Sequence, residues 1–302
     1  MKSLLILLVY FHSLLAFNYL LEPKSVSDAA TYCYFGSPEV MDKHNNGNMS
    51  NSCFVNMGSS YLVVDSGPTY QYAQQAYKKM QQISNLPVSY VVNTHIHDDH
   101  WLGNGYYKEI GATIIGSSAF KTLPKLDKTR MQKRISKEAY QKTTQVFPTI
   151  FVESTKILDI NGKKVHIIAI NHKAHTNSDL LVYIPSQKLL FAGDLVFNGR
   201  LPSMRDGNIN GWIKALEKIK KMDVKYIIGG HGTLVSKKSV DFTYNYLTTL
   251  KNQVANLLEE GVDIGEAVDK VIMSKYKNVP FYNSMHRQNV EHVYRTLEWE
   301  SE

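Results

Sequence analysis

The pattern of apolar and polar positions predicts short strands alternating with amphipathic helices along most of the 302-residue chain. Apolar runs of strand length predict strands at 32–35, 52–57, 61–64, 88–93, 113–115, 156–158, 164–170, 180–184, 188–192 and 226–228. Apolar positions at helical spacing predict helices at 70–84 and 208–222, a helix beginning within 103–110, and a mostly helical chain from 237 onward. In the helix at 70–84 we expect Ala73, Ala76, Tyr77, Met80 and Ile83 to share the buried side.

These elements form two similar halves without a linker rich in Pro, Gly or Ser between them, which favours one α/β domain. Sheets covered by helices on their outer faces satisfy this burial pattern, and residues from about 236 to 302 form a C-terminal helical segment. The Asn- and Gly-rich segment 36–51 predicts an exposed loop. The Lys-rich, helix-compatible segment 121–145 predicts a surface insert beside the functional site.

The N-terminal residues have the pattern of a secretory signal peptide. Lys2 precedes an apolar run at 4–15, and Ala16 supplies a small residue for cleavage. We therefore expect a signal peptide at 1–16, a mature domain at 17–302, and a periplasmic or secreted protein. A retained N-terminal anchor is the alternative, although the run is short for a membrane span of about 20 residues. With the signal cleaved, we expect no integral membrane association.

Charge and cysteine content limit the partners and the covalent chemistry. The net charge is +7, but the basic residues are scattered and accompany no nucleic-acid motif, so we expect a small-molecule substrate and no nucleic acid. The sequence leaves the oligomeric state open. Cys33 and Cys53 have two interpretations, a disulfide worth about 3 kcal/mol in an oxidising compartment or two buried thiols.

The strongest chemical signal is the segment 95–100, which reads HIHDDH and directly follows an apolar strand. Alternation places His95 and His97 on one side of an extended segment, where both reach the same ion. Asp99 and His100 lie just beyond, where a turn of the chain presents them to a second ion. Imidazole and carboxylate ligands suit zinc, and iron and manganese accept similar sets.

Three further candidate ligands lie at the ends of strands downstream. His175 precedes a strand, Asp194 ends one in a Gly-Asp pair, and His231 ends another between two glycines that allow close approach of the backbone. Together with the 95–100 segment they make seven candidate metal ligands.

The order and context of these seven residues resemble the metallo-β-lactamase superfamily over about residues 30–235. The resemblance implies a four-layer αββα sandwich and a site with two zinc ions, iron or manganese being the other possible metals. It assigns His95, His97 and His175 to the first metal and Asp99, His100 and His231 to the second, with Asp194 bridging both. Asp65 matches the superfamily's Asp that supports the metal loop without binding metal.

Other features narrow the resemblance within the superfamily. An Asp at 194, where zinc β-lactamases commonly have Cys or no ligand, resembles the glyoxalase II, lactonase and arylsulfatase-like branches. The segments 94–104 (THIHDDHWLGN), 193–202 (GDLVFNGRLP), 211–212 (GW) and 289–294 (NVEHVY) are similar to the exported quinoprotein relay system zinc metallohydrolases. Segment 121–155 matches weakly, and we expect it to determine the choice of substrate.

The resemblance implies a secreted dinuclear zinc hydrolase that acts on a small ester, thioester, lactone or amide through a metal-bound hydroxide. Asp99 is the residue that we expect turnover to need. The alternatives are a zinc β-lactamase, a mononuclear-iron persulfide dioxygenase, and a metal-stabilised binding module without activity. As substrate contacts we expect Arg200, which otherwise pairs with a surface carboxylate, and Trp101, which otherwise belongs to the core.

Overall fold

The computed structural model describes residues 17–27 and 30–301, and its centre is a pair of β-sheets. The signal peptide expected at 1–16 lies outside the described residues. Seven strands form the first sheet in chain order: β1 Lys24–Ser27, β2 Thr31–Tyr34, β3 Ser52–Asn56, β4 Tyr61–Val64, β5 Val88–Asn93, β6 Thr113–Ser117 and β7 Ile150–Val152. Five strands form the second, paired in the order β12-β11-β10-β9-β8: β8 Thr155–Ile160, β9 Lys163–Ile170, β10 Asp179–Ile184, β11 Leu189–Phe197 and β12 Tyr226–His231.

The α-helices of the described chain lie between and after these strands. They are α1 Tyr70–Ile83, α2 Asp98–Trp101, α3 Asn104–Glu109, α4 Arg130–Arg134, α5 Lys137–Tyr140, α6 Ile209–Lys221, α7 Ser239–Glu259, α8 Ile264–Lys270 and α9 Tyr282–Ser301. The predicted long helices at 70–84 and 208–222 are confirmed as α1 and α6. Each begins after a capping side chain, Thr69 for α1 and Asn208 for α6, which accepts a backbone hydrogen bond from the first turn. No helix among the described residues is long and apolar enough to cross a bilayer.

Alternation along the strands builds three apolar layers. In β10, Leu180 and Val182 enter the layer between the sheets, whereas Leu181 faces the layer that α6 and α7 cover. In β5, Val92 likewise faces the other sheet, and Val91 faces the layer under α1 and α3. Both faces of both sheets are therefore buried, as the four-layer αββα prediction requires.

Strand direction brings the functional loops to one edge of this sandwich. Strands β4 and β5 are parallel, and so are β11 and β12, so the carboxyl ends of each pair lie together. Asn51, immediately before β3, joins the sheets at this edge, because its side-chain amide donates to the carbonyls of Gly229 and Gly232. The backbone amide of Leu180 donates to the carbonyl of Thr94 and makes a second connection.

The segment 121–145 differs from the prediction of a helical surface insert. Only α4 and α5 are α-helical there, and Met131 and Ala139 are fully buried. The other errors are smaller. Strands β1 and β7 were not predicted, and Ile83 is 45% exposed although its spacing placed it on the buried side of α1.

Of the two interpretations of the cysteines, the structure contains the disulfide. Cys33 in β2 and Cys53 in β3 are direct cross-strand partners, with Cα atoms 4.1 Å apart, and both are buried between the sheets. The bond closes the polar loop 36–51 at its base.

Candidate metal centre

Four of the predicted ligands converge in a first donor group, formed by His95, His97, His175 and Asp194. His95 and His97 follow β5, His175 lies in the loop before β10, and Asp194 belongs to β11. The Nδ1 atom of His97 lies 3.2 Å from Nε2 of His95 and 2.9 Å from Nε2 of His175. Asp194 Oδ2 lies 3.6 Å and 3.3 Å from the same two Nε2 atoms.

The remaining three make a second donor group, formed by Asp99, His100 and His231. Asp99 Oδ2 is 3.6 Å from Nε2 of His100 and 3.7 Å from Nε2 of His231. Asp194 faces this group too, because its Oδ1 is 3.2 Å from His100 Nε2 and its Oδ2 is 3.3 Å from His231 Nε2. Asp194 therefore lies between the two groups.

These separations fit metal coordination. Ligand atoms about 2.1 Å from a tetrahedral zinc ion are about 3.4 Å from one another. In the first donor group the quoted separations run from 2.9 to 3.6 Å, and in the second from 3.2 to 3.7 Å. Three side-chain atoms of the donors are buried without a hydrogen-bond partner in the part of the chain that the structure describes: His175 Nδ1, and the two facing atoms His100 Nε2 and Asp194 Oδ1. Buried polar atoms without partners are rare, and a pair of ions in the two groups would satisfy both facing atoms.

The outer nitrogens of four imidazoles are held by hydrogen bonds, which fixes the tautomer that leaves the inner nitrogen free for a metal. His95 Nδ1 donates to Thr94 Oγ1 (3.0 Å) and His231 Nδ1 to the Met49 carbonyl (2.6 Å). His100 Nδ1 donates to Asp65 Oδ2 (2.8 Å), and His97 Nε2 donates to Asp206 Oδ2 (2.9 Å). His175 instead packs its ring edge-on against Trp212, with the ring centroids 4.8 Å apart.

Asp65 lies where the sequence predicts a supporting carboxylate. It follows β4 in a left-handed conformation (φ 58°) that Asp tolerates, and it is buried. Besides His100, it accepts hydrogen bonds from the backbone amide and the hydroxyl of Thr94, each at 2.8 Å. Asp65 therefore joins the loop that precedes His95 to a ligand of the second donor group.

Burial and mutual charge set the protonation of the centre. Burial lowers the pKa of His95 well below its ordinary value and also lowers the pKa values of His97 and His231. Burial opposes a charge on His100 as well, but the carboxylates of Asp194, Asp65 and Asp99 raise the pKa of His100 well above its ordinary value. Burial alone would raise the pKa of Asp194, but the surrounding imidazoles, led by His231 and His100, hold it well below its usual range. Metal binding requires neutral imidazoles and an ionised carboxylate, so an ion in the second donor group would displace the proton that the carboxylates favour on His100.

A cavity of about 340 Å³ opens over both donor groups, and four arginines line it: Arg130, Arg134, Arg200 and Arg205. Arg200 is buried, and its Nε has no hydrogen-bond partner among the described residues. Its guanidinium stacks over Phe281 at 4.1 Å, and one of its nitrogens lies 3.3 Å from His231 Nδ1. No carboxylate of the described chain forms an ion pair with it. Arg200 thus offers an uncompensated positive charge to a ligand in the cavity.

Trp101, the other expected substrate contact, is placed differently. It is buried against Phe120 and Phe147, and its indole nitrogen donates to the carbonyl of Ile96. It lines a separate cavity of about 220 Å³, which His97 also lines, and is absent from the wall of the larger one. Its main structural role is in the core.

Two residues beside the centre were missed by the sequence interpretation. Asp206 orients His97, and Arg130 forms an ion pair with Asp99. Neither has a local sequence signal, because each reaches its partner from a separate segment of the chain.

The fold and the paired donor groups define a class, the αββα proteins with a candidate two-metal centre at one edge of the sandwich. Within it, the metallo-beta-lactamase superfamily model matches residues 45–231, and the chain belongs to this superfamily. Hydroxyacylglutathione hydrolase of Prochlorococcus marinus (strain MIT 9312) is 28% identical over 148 residues, 48% of this chain and 51% of the relative. Metallo-beta-lactamase type 2 of Elizabethkingia meningoseptica is 23% identical over 163 residues, 52% of this chain and 58% of the relative.

The chain thus spans little more than half the length of these two curated relatives. Among solved structures, a metallo-beta-lactamase from Pontibacter korlensis superposes with a TM-score of 0.59 at 19% identity, covering 76% of this chain and 99% of that chain. This similarity confirms the predicted fold.

Proposed function

We propose that this protein is an exported hydrolase that uses two zinc ions to cleave a small ester, thioester, lactone or amide carrying an anionic group. The observation that carries the proposal is the convergence of seven donor side chains in two groups with Asp194 between them. His95, His97 and His175 would hold one ion, Asp99, His100 and His231 the other, and Asp194 both. A single-ion site, as in the persulfide dioxygenase alternative, leaves the second donor group without a role.

Two divalent ions held by these residues would activate a water molecule and stabilise the negative charge that develops on the substrate. Other residues of the chain orient the metal ligands and the substrate. Asp65, Thr94, Asp206 and the Met49 carbonyl hold the imidazoles in the binding tautomer. The Arg200 guanidinium, which stacks against Phe281, meets an anionic group of the substrate beside His231.

Export is supported by two independent features. The apolar run at 4–15 has the length and flanking residues of a signal peptide. The Cys33–Cys53 disulfide persists best in an oxidising compartment, such as the periplasm or the cell exterior. The segments similar to exported quinoprotein relay system hydrolases agree with this location.

Hydrolysis of β-lactams is the second candidate activity. A named relative is a metallo-beta-lactamase, and a β-lactam carries a carboxylate that suits Arg200. The Asp at position 194, where zinc β-lactamases commonly have Cys, favours the broader hydrolase proposal.

The test is a hydrolysis screen with the purified exported chain. A lactone, a thioester, an aryl ester and a β-lactam are compared for the wild type, for Asp99→Ala and for the surface control Asp159→Ala. We expect chelator-sensitive hydrolysis of at least one compound, lowered roughly a hundredfold or more in D99A and unchanged in D159A. Hydrolysis that survives both chelation and D99A would contradict the mechanism, and turnover of the β-lactam alone would favour the second candidate.

A further inference from the structure

Arg130 contacts the metal centre from outside the superfamily's ligand set. It begins α4, in the segment 121–145, and its Nη2 donates to Asp99 Oδ1 at 2.8 Å. Asp99 Oδ2 is the atom that faces His100 and His231. The two oxygens of Asp99 therefore have separate partners, the guanidinium on one side and the second donor group on the other.

The guanidinium is itself held in place by the neighbouring carboxylate. Asp98 Oδ1 accepts hydrogen bonds from Nε and Nη2 of Arg130, at 3.0 and 2.6 Å. Asp98 Oδ2 accepts one from the backbone amide of Met131 (2.8 Å), which attaches the carboxylate to the first turn of α4. Thr129 caps this helix, and the Met131 side chain is fully buried beneath it. A planar guanidinium with fixed donors is suited to hold two carboxylates at once.

The first donor group has no such connection to the segment 121–145. In the part of the chain that the structure describes, no hydrogen bond or ion pair joins its imidazoles or Asp194 to residues 121–145. Only the second donor group is attached to the segment, through Asp99.

We propose that Arg130 is a positioning residue for Asp99, and that docking of α4 on Asp98 and Asp99 thereby determines how tightly the second metal ion binds. The inference rests on the two-ion function proposed above. The hydrogen bond from Arg130 occupies Asp99 Oδ1 and directs Oδ2 towards His100 and His231. The carboxylate therefore already has the orientation that the second ion requires when it binds. The first ion binds independently of Arg130.

The experiment is a zinc titration of the metal-free full chain in competition with a chromophoric chelator, which resolves two successive dissociation constants. Arg130→Gln removes the guanidinium that holds both carboxylates, together with its positive charge. We expect the second dissociation constant to rise about 10- to 100-fold and the first to stay unchanged. Arg134→Gln is the matched control, because Arg134 is exposed on the same helix and lines the same cavity without an ion pair among the described residues.

The possible results separate positioning from other roles. If the guanidinium only neutralises Asp99 in place of the second metal ion, removing its charge makes the second zinc bind more tightly. This result overturns the proposal. An unchanged second constant, or equal weakening of both ions, also overturns it. Arg130→Lys provides a second variant should R130Q fail to fold. A lysine ammonium lacks the fixed planar donors of the guanidinium, so we expect an intermediate loss confined to the second ion. A wild type that binds only one zinc contradicts the two-ion function itself.

Discussion

Asp65→Asn changes one atom beside the metal centre and tests how the tautomer of His100 is held. The carboxylate Oδ2 accepts hydrogen bonds from His100 Nδ1 and from the Thr94 hydroxyl, and Oδ1 accepts one from the Thr94 amide. Asn retains the shape and the left-handed conformation. With its oxygen on the Thr94 amide, however, its NH2 group faces the ring N–H of His100. The imidazole proton then moves to Nε2, the atom that faces Asp194.

The expected loss follows from these contacts. A hydrogen bond to a charged acceptor contributes about 1.5–3 kcal/mol, and the rearranged Thr94 hydroxyl loses its own acceptor. We therefore expect D65N to lower the free energy of unfolding by about 2–4 kcal/mol. The single proton of a neutral His100 then lies on Nε2, so the second metal ion should bind about 10- to 100-fold more weakly.

Zinc titration and denaturant unfolding measure the two effects, and Asp179→Asn is the matched control. Asp179 is also buried and accepts hydrogen bonds from His175 N, Thr176 N and the Thr176 hydroxyl, but from no imidazole ring. D179N should lower stability by a similar amount and leave the second dissociation constant unchanged. Equal weakening of the second ion by both variants would refute the tautomer reasoning.

Three further predictions concern the substrate, the disulfide and the pH. Arg200→Gln should lower kcat/KM for anionic substrates about 10- to 100-fold, and much less for neutral analogues, because the charge-assisted hydrogen bond from the guanidinium to the anionic group is lost. Equal losses for both kinds of substrate would exclude this contact. Replacing Cys33 and Cys53 together by Ser should lower the unfolding free energy by about 3 kcal/mol, given their separation of 20 residues, and reducing agent should then not affect the variant. Burial lowers the pKa of His286 from 6.5, so the unfolded chain binds its proton first as the pH falls. Stability should therefore decline below pH 6.5, by at most about 1.4 kcal/mol per pH unit for this group. Urea unfolding of His286→Gln should show a shallower decline, and an identical slope would contradict the assignment.

The strands and long helices were predictable because burial repeats along them. Strand β5 lies between two apolar layers, and its apolar residues continue to Val92, next to the strand's last residue, Asn93. Strands β1 and β7 are short and partly exposed, so they carry no comparable pattern. Ile83 has the helical spacing of a buried residue, but it is the last residue of α1 and its side chain is largely exposed.

The seven donors were predictable as a set because four of them lie in the segment 95–100 that follows β5, and His175, Asp194 and His231 lie near the ends of predicted strands. The segment 95–100 itself indicated two ions, the family resemblance assigned His175, Asp194 and His231 to them, and the structure brings the same residues together. Arg130 could not be identified in this way. Its segment is rich in basic residues, and its contact with Asp99 spans 31 positions and depends on how α4 docks. Asp206 reaches His97 across 109 positions and is equally invisible to local patterns.

The central claim, that the two donor groups hold two ions through a shared Asp194, is tested most directly by metal analysis. Zinc is added to the purified chain, loosely bound ions are removed by desalting, and the metal is measured per protein molecule by elemental analysis. The account predicts two zinc ions per chain for the wild type. A wild-type chain that retains a single ion, such as one iron, or none would contradict it.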